Sequence, residues 1–505
     1  MKRLMCLIVL LIVASTSRLV RATSDERSAA SKSRLIVLAD MGNEPDEEQQ
    51  MAHMLVCSNE FDVEGLIAIT GKFLRKTTRP DLFLKLIDGY AKVVDNLKLH
   101  AEGWPTPGYL RSITVSGQGG YGIEATGKGK SSEGSKLIVE AVTRDDPRPV
   151  WIVVNAGSNT LAQALIDYRA SHTPAEVDAF VAKLRVFENG AQDNAGAWIC
   201  HHFPRIHWIR SNYQTYAYGG PGGRGGDIRS NLGPHYWQPY EYSVDGQNEW
   251  LKEHVMTGHG PLGEVFPERR FGNGRLGFME GGGTIPWLGL VNKGLFDVDH
   301  PSWGGWSGRF TARKVPDFWS RHADIKADEI EVAPFYTHRE VSDVWTDPVS
   351  GKRYDNDYVP VWRWRRAMYN DLRCRMDWCV KPFDEANHHP VAAFRGDTSD
   401  TIVRLRALAG EQVALDATAS TDPDGDSLVY RWWVYREAGT YPGEVVIADT
   451  NKAKTSVRIP TGAMGAQIHV ILEVKDENPI ASLFDYRRIV IDVADMVVPL
   501  ESVQK

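Results

Sequence analysis

Long apolar runs are almost missing from this chain. The one stretch of membrane character is residues 4–14 (LMCLIVLLIVA), behind the basic pair Lys2 and Arg3. It is too short for an ordinary bilayer span, which takes about 20 residues, and it has the build of a secretory signal. Small residues follow at Ser15, Ser17 and Ala22, so residues 1–22 are expected to be removed. Residues 23–33 (TSDERSAASKS) are polar and hold too little apolar surface to fold alone. The expectation is a secreted, extracytoplasmic protein, periplasmic or extracellular, that is not integral to a membrane after cleavage.

Cysteine is scarce, with 5 in the chain. Cys6 leaves with the signal, and Cys57, Cys200, Cys374 and Cys379 remain. An even number permits disulfides, and Cys374 and Cys379 are near enough in sequence to pair in a loop or turn. Cys57 and Cys200 lie in apolar stretches and read as buried thiols. No Cys/His spacing has the look of a zinc site. Charge of one sign is not concentrated either. The net charge is -7 with no run of Lys and Arg, so no electrostatic footprint for nucleic acid is present.

Aromatics, in contrast, are plentiful: 16 Trp and 18 Tyr. Many fall between Trp198 and Trp378, beside Gly, Pro and His. Loop aromatics can stack on sugar or base faces, although filling the core of a large domain is their commoner use. A chain of 505 residues is too long for one core, so two domains are expected.

The first of these opens with residues 34–39 (RLIVLA), a continuous apolar run suited to a parallel strand covered on both faces. An acidic loop, residues 40–48, comes next. Residues 49–58 read as an amphipathic helix and 61–70 as a second strand, which completes a βαβ unit. The pattern recurs with a strand over 149–155, a helix over 159–170, and a helix over 177–186 running toward another strand. Alternation of this kind predicts an α/β fold with an open, mostly parallel sheet, whose ligands bind beyond the carboxyl ends of the strands. Asp40 and Asn155 both stand at such ends. From about Trp198 to Trp378 regularity fades. Residues 219–226 (GGPGGRGG) lack the flanking strand and helix of a phosphate-binding loop and read as a lid or surface loop.

A linker is expected near residues 381–390. Beyond it, short strand-like runs at 412–415, 428–435, 445–447, 455–459, 468–475 and 488–493 alternate with turn signals. They predict an all-β sandwich over residues 388–495, behind a first domain over 33–385. Residues 416–432 (DATASTDPDGDSLVYRW) resemble the PKD-domain turn and Tyr-x-Trp strand of an immunoglobulin-like unit. Asp422, Asp424 and Asp426 could hold Ca²⁺ through oxygen, or could simply form a hydrogen-bonded turn.

The strongest functional signal is the acidic run Asp40, Glu44, Asp46, Glu47 and Glu48. Bunched carboxylates repel unless they are solvated, hydrogen-bonded or holding a cation such as Ca²⁺. An ordinary acidic helix start explains Glu47 and Glu48 but not Asp40, which directly ends an apolar strand. Other candidates are Glu280 as an acid or base in a glycine-lined pocket, Trp303 and Trp306 as a sugar-stacking platform, and Arg309. His201, His202, His207 and His300 are candidate proton donors to a leaving group.

The segment Asp40-Met-Gly-Asn-Glu-Pro-Asp46-Glu47 resembles, without a gap, the opening motif Asp-x-Asp-Pro-Gly-x-Asp-Asp of the nucleoside hydrolases. Residues 155–162 (NAGSNTLA) are similar to that family's strand-to-helix turn, and residues 188–198 (ENGAQDNAGAW) to its ribose-binding loop. Together with residues 301–309 (PSWGGWSGR), the wording is nearer still to a divergent branch. That branch consists of secreted nucleoside-hydrolase-like proteins with an immunoglobulin-like C-terminal domain, one of them described as cellulose-binding.

The resemblance implies metal-assisted hydrolysis of a glycosidic bond, with an Asp activating the water that attacks the anomeric carbon. By position it implies Asp40, Glu47, the Ala156 carbonyl and a distant Asp, with Asp297 and Asp299 the candidates and Asp297 preferred, as Ca²⁺ ligands. It implies Asp46, Asn155, Asp193 and Asn194 for sugar hydroxyls. One position departs from the pattern: the family's base and metal ligand is Gly42 here, and Asp40 or Glu44 are the candidate replacements. The expected function is a secreted hydrolase of N- or O-glycosyl bonds acting on a saccharide or nucleoside. The alternative is a non-catalytic binder of cellulose-like polysaccharide that kept the fold after losing the base.

Overall fold

The computed structural model describes residues 32–211, 214–219, 250–268, 280, 282–291, 294–315, 335–348 and 351–494. Its central sheet has eight strands: β1 (Ser33–Ala39), β2 (Phe61–Ala68), β3 (Thr114–Ser116), β4 (Val150–Val154), β5 (Leu184–Asn189), β6 (His207–Ser211), β7 (Phe310–Val315) and β8 (Phe335–Glu340). Their order is β3-β2-β1-β4-β5-β6-β8-β7. Every neighbouring pair is parallel except β7 with β8. The helices that matter to the site are α1 (Pro45–Val56), α2 (Pro80–Tyr90), α3 (Glu133–Thr143), α4 (Asn159–Ser171), α5 (Pro174–Ala182), α6 (Ala195–His202) and α7 (Arg365–Asp377).

Residues along β1 alternate between two cores. Leu35, Val37 and Ala39 pack with Met51, Met54 and Leu55 of α1. Ile36 and Leu38 pack on the other face with Leu161, Ala162 and Leu165 of α4. This double covering explains why the strand is apolar at every position. Full burial of such side chains contributes roughly 1.5–3 kcal/mol each. It also means that the chain leaves β1 toward one face of the sheet and leaves β4 toward the other.

Helix α1 starts earlier than its apolar periodicity suggested. Pro45 opens it, and Asp46, Glu47 and Glu48 fill its first turn, where the peptide dipoles favour negative charge. The second half of the acidic run is therefore helical rather than loop, and the helix closes at Val56 instead of reaching residue 58.

The C-terminal unit pairs a four-stranded sheet with a three-stranded one. In chain order its strands are β11 (Val403–Leu408), β12 (Gln412–Asp416), β13 (Leu428–Val434), β14 (Val446–Ile447), β15 (Lys454–Arg458), β16 (Gln467–Asp476) and β17 (Phe484–Ala494), after a hairpin of β9 (Asp343–Thr346) and β10 (Arg353–Asn356). The sheets run β11-β17-β16-β13 and β12-β15-β14. Leu415, Trp432, Val457, Leu472 and Ile489 are among the buried residues of their common core. In the Asp-rich turn, Asp422 Oδ1 accepts from the amides of Asp424 (2.9 Å) and Asp426 (3.0 Å). The three carboxylates also lie within 4.8 Å of one another.

The sandwich is seated on the α/β unit through a buried seam. Arg488 of β17 donates to the carbonyls of Leu295 (2.8 Å), Trp303 (2.9 Å) and Gly304 (2.9 Å). Burial lowers its guanidinium to about 10, so it remains charged at neutral pH. Tyr435 donates to Asp343 at 2.6 Å, and Arg309 bonds the same carboxylate at 2.6 Å. Gly304 adopts a φ of +76°, and a Cβ there would meet Tyr435 Oη at 2.5 Å, so only glycine closes this contact.

The pairing of Cys374 with Cys379 that their spacing permits is not formed, and all four described cysteines are free and buried. Cys374 packs with Ala481 and Leu483, whereas Cys379 faces the main core. Cys374 lies on α7 and Cys379 in the turn that follows it, so their side chains enter different layers.

Replacing Arg488 with Met would leave those carbonyls without donors, at a cost on the order of 3 kcal/mol. Calorimetry should then show a lowered or split unfolding transition. An unchanged single transition would show that the seam does not couple the two units.

Candidate active site

The order β3-β2-β1-β4-β5-β6 reverses between β1 and β4, so a crevice opens at their carboxyl ends. Asp40 directly follows β1 and Asn155 directly follows β4. Both are 1% exposed. The first turn of α1 adds Glu47, also buried, and Gln50 one turn further on. Gln50 donates to Glu47, and Asn155 Nδ2 donates to the same carboxylate at 3.3 Å. Asp46 is half-buried and Glu44 is exposed.

This interior is rich in acceptors and poor in donors. Among the described residues, Asp40 Oδ2, Gln50 Oε1 and Asn155 Oδ1 are buried without a hydrogen-bond partner. Burial, then the charges of Asp46 and Glu44, hold the Asp40 carboxyl well above its usual range. Burial, then Asp40 and Asp46, do the same to Glu47. Two carboxyl groups strained in this way and a set of orphaned oxygens fit a hard cation such as Ca²⁺. Asp40, Asp46 and Glu47 are not among the described groups of three whose donor atoms lie within 4.8 Å of one another. A cation held here would need the amide oxygens of Asn155 and Gln50 as well.

Three glycines shape the crevice. A Cβ on Gly71 would lie 2.6 Å from Asp40 Oδ2 and 2.7 Å from Gln192 Oε1. One on Gly283 would lie 2.5 Å from Asn155 Nδ2 and 2.3 Å from Gln50 Nε2. Gly42 has a φ of +87°, and a Cβ there would meet Leu82 Cδ1 at 2.9 Å and Arg79 Cγ at 3.4 Å. A side chain at position 42 would thus run into Leu82 of α2 and into Arg79, which precedes that helix. Glycine supplies no side chain that could act as the family's base there.

The segment after β5 is held in place by its own side chains. Asp193 is fully buried, and its Oδ1 accepts from the amides of Ser158 (3.0 Å) and Ala195 (3.0 Å), at the starts of α4 and α6. Burial raises its carboxyl to about 7. Asn194 Oδ1 accepts from the Ile123 amide at 2.8 Å, and its Nδ2 donates to Glu124 at 3.1 Å. The Ala156 carbonyl accepts from the Gln192 amide at 3.2 Å. In this structure Asp193 and Asn194 organise the rim, and Gln192, which the sequence reading passed over, donates from Nε2 to the Asn155 carbonyl at 3.4 Å.

Several candidates are placed elsewhere. Glu280 is fully buried at a φ of +54°. It faces His53 at 3.1 Å and accepts from Thr284 at 2.7 Å, so its carboxylate supports α1 rather than facing the crevice. Trp303 and Trp306 are 4% and 1% exposed and belong to the seam with the sandwich. Trp303 stacks on His300 at 4.1 Å and lies under Arg404, which leaves no open ring face for a sugar. Asp297 holds His300 at 3.0 Å, also near the seam. Arg309 is spent on Asp343. His207, at the amino end of β6, stacks on His338, and burial lowers it to about 3. His201 and His202 lie at the far end of α6. The glycine-rich segment 219–226 falls outside the described residues except for Gly219.

Comparisons with known proteins bear on the family and the fold. The family described as cellulose-binding Sde182, nucleoside hydrolase-like domain, matches residues 34–310. The family described as cellulose-binding protein Sde0182, C-terminal domain, matches residues 412–493. A solved nucleoside hydrolase-related protein from Saccharophagus degradans, described as associated with carbohydrate metabolism, is 36% identical with a TM-score of 0.77, over 92% of this chain and 100% of its own. An endo-fucoidan hydrolase of glycoside hydrolase family 107 overlaps at 9% identity and a TM-score of 0.18, over 92% of this chain and 67% of its own, too little for any argument. No curated protein matches.

Asp193 generates a pH-dependent prediction. Its folded carboxyl titrates at about 7 against a usual 3.8, so the folded state holds the proton more tightly. Its contribution to stability is complete below the unfolded value and is lost as pH rises through about 7. Asp193→Asn keeps the acceptor for both amides and cannot ionise. The melting temperature of the variant minus that of the native protein should therefore climb between pH 4 and 7. A pH-independent difference would show that Asp193 does not titrate in this window.

Proposed function

The chain belongs to the cellulose-binding Sde182 family with a nucleoside-hydrolase-like domain, and on that premise we propose that it is an extracytoplasmic hydrolase of glycosidic bonds. The observation that carries this reading is the buried carboxyl pair of Asp40 and Glu47 in the strand-order crevice. Glycoside hydrolysis needs one carboxyl group that takes a proton from water and surroundings that stabilise positive charge at the anomeric carbon. Asp40 Oδ2, an acceptor with no internal donor, is suited to take the proton that Gly42 cannot. The half-buried Asp46 is suited to a sugar hydroxyl at the mouth. Glu47, Asn155 and Gln50, together with Asp40, would hold Ca²⁺. The ion would anchor vicinal hydroxyls and acidify a bound water.

Export and the carbohydrate association of the relatives favour a saccharide over a nucleoside as substrate. The signal-like start at residues 1–22 supports extracytoplasmic action, and among the described residues no helix is long and apolar enough to cross a membrane.

A second reading, saccharide binding without turnover, is favoured by one observation: position 42, where the family's base would stand, is a glycine whose added Cβ would meet Leu82 Cδ1 at 2.9 Å. Turnover separates the two. Purified mature protein is assayed on nucleosides, aryl glycosides and cello-oligosaccharides, with Ca²⁺ and after chelation. Under the first reading Asp40→Asn should lose about 10²–10⁴-fold in kcat and retain binding, and Asp46→Asn should abolish activity. Full turnover in both variants would remove the site from this crevice. Saccharide binding with no turnover in the native protein would establish the second reading.

A further inference from the structure

Helix α1 carries a second polar group beyond its acidic start. His53 and Cys57 stand one turn apart at its C-terminal end, and both are 0% exposed. Asp371 of α7, also 0% exposed, meets them from 314 residues away, with Oδ2 3.9 Å from Cys57 Sγ. A ring nitrogen, the sulfur and a carboxylate oxygen of these three residues all lie within 4.8 Å of one another.

The surroundings fix which atoms are open. His53 Nδ1 rests on both oxygens of Glu280, at 3.1 Å each. Its Nε2 is buried and has no hydrogen-bond partner among the described residues. Asp371 Oδ1 is occupied by Arg375 Nε at 2.8 Å and His389 Nε2 at 2.7 Å, which leaves Oδ2 toward the thiol. Arg375 is in turn paired with Glu60 at 2.9 Å, so its charge is already balanced.

A histidine whose second nitrogen is held by a carboxylate is the usual support of a metal-bound imidazole. Nitrogen, sulfur and carboxylate oxygen together are the borderline donors of zinc rather than the all-oxygen set of calcium. We propose that His53 Nε2, Cys57 Sγ and Asp371 Oδ2 bind one Zn²⁺ or a similar divalent transition cation. Donors around a tetrahedral zinc stand about 3.3–3.8 Å apart, so the pocket needs only a small contraction. Binding releases the Cys57 proton to solvent, and the thiolate and the Asp371 carboxylate then neutralise the two charges of the ion. Glu280 becomes the group that orients the imidazole. The ion clamps α1, which carries Glu47 and Gln50, to α7. No local spacing announces the site, since its third member is remote in sequence.

The native full-length mature protein, produced in zinc-supplemented medium and purified without chelators, should carry stoichiometric zinc by elemental analysis. Refolding in Co²⁺ should give thiolate-to-cobalt charge-transfer absorption, lost in Cys57→Ser. Glu280→Gln should weaken zinc binding about 10–100-fold. The native protein serves as its own test should a buried variant fail to fold. Native protein with neither zinc nor the cobalt band, or metal content unchanged in a folded Cys57→Ser, would overturn the assignment.

Discussion

Two adjacent strands whose chains depart to opposite faces of the sheet govern this molecule. β1 gives way to α1 on one side, and β4 gives way to α4 on the other. In a sheet of this order the crossovers diverge at the edge between them, which is where ligands bind. The acidic residue that ends β1 and the amide that ends β4 are brought together by strand order alone. The first turn of α1 closes over them because it is the next segment of chain. Glu47, Gln50 and, further along, His53 inherit their places from that single crossover.

Inside the opening the balance of donors and acceptors is uneven. Buried carboxylates in folded proteins are ordinarily met by guanidinium groups, as Glu188 is by Arg210 and Asp371 by Arg375 here. Among the described residues, Glu47 receives the side-chain amides of Gln50 and Asn155, and Asp40 Oδ2 receives no donor. A protein that leaves two acidic groups at the bottom of a crevice with neutral partners accepts a standing electrostatic cost. Such a cost is kept where a ligand relieves it. The glycines at 71 and 283 point the same way, since each lets backbone approach a polar side chain that any larger residue would displace.

Much of this was legible in the residues. The apolar run before Asp40, the acidic cluster and the family-like wording up to Glu47 located the crevice. The alternation after residue 400 announced the sandwich. The start of α1 was also written there, as a proline followed by three acids, but apolar periodicity outweighed it. The strand β11 was missed although Val403, Leu405 and Ala407 alternate with Arg404 and Arg406. Other features had no local signature. Tryptophans among glycines look alike whether they face a sugar or a neighbouring domain, and only the sandwich lying on Trp303 decides between them. Glu280 sits among glycines that suggested a pocket, yet its partner is His53, 227 residues earlier.

The seam also sets a timetable. The loop carbonyls at Trp303 and Gly304 wait for Arg488, which lies 185 residues downstream of Trp303. At about 5–20 residues per second of synthesis, that interval lasts roughly ten to forty seconds. Throughout it the aromatic flank of the first domain has no cover. A chain destined to cross a membrane before it folds would meet no conflict, because both halves arrive on the far side together. One folding during synthesis would carry an exposed tryptophan surface until almost its last strand emerged.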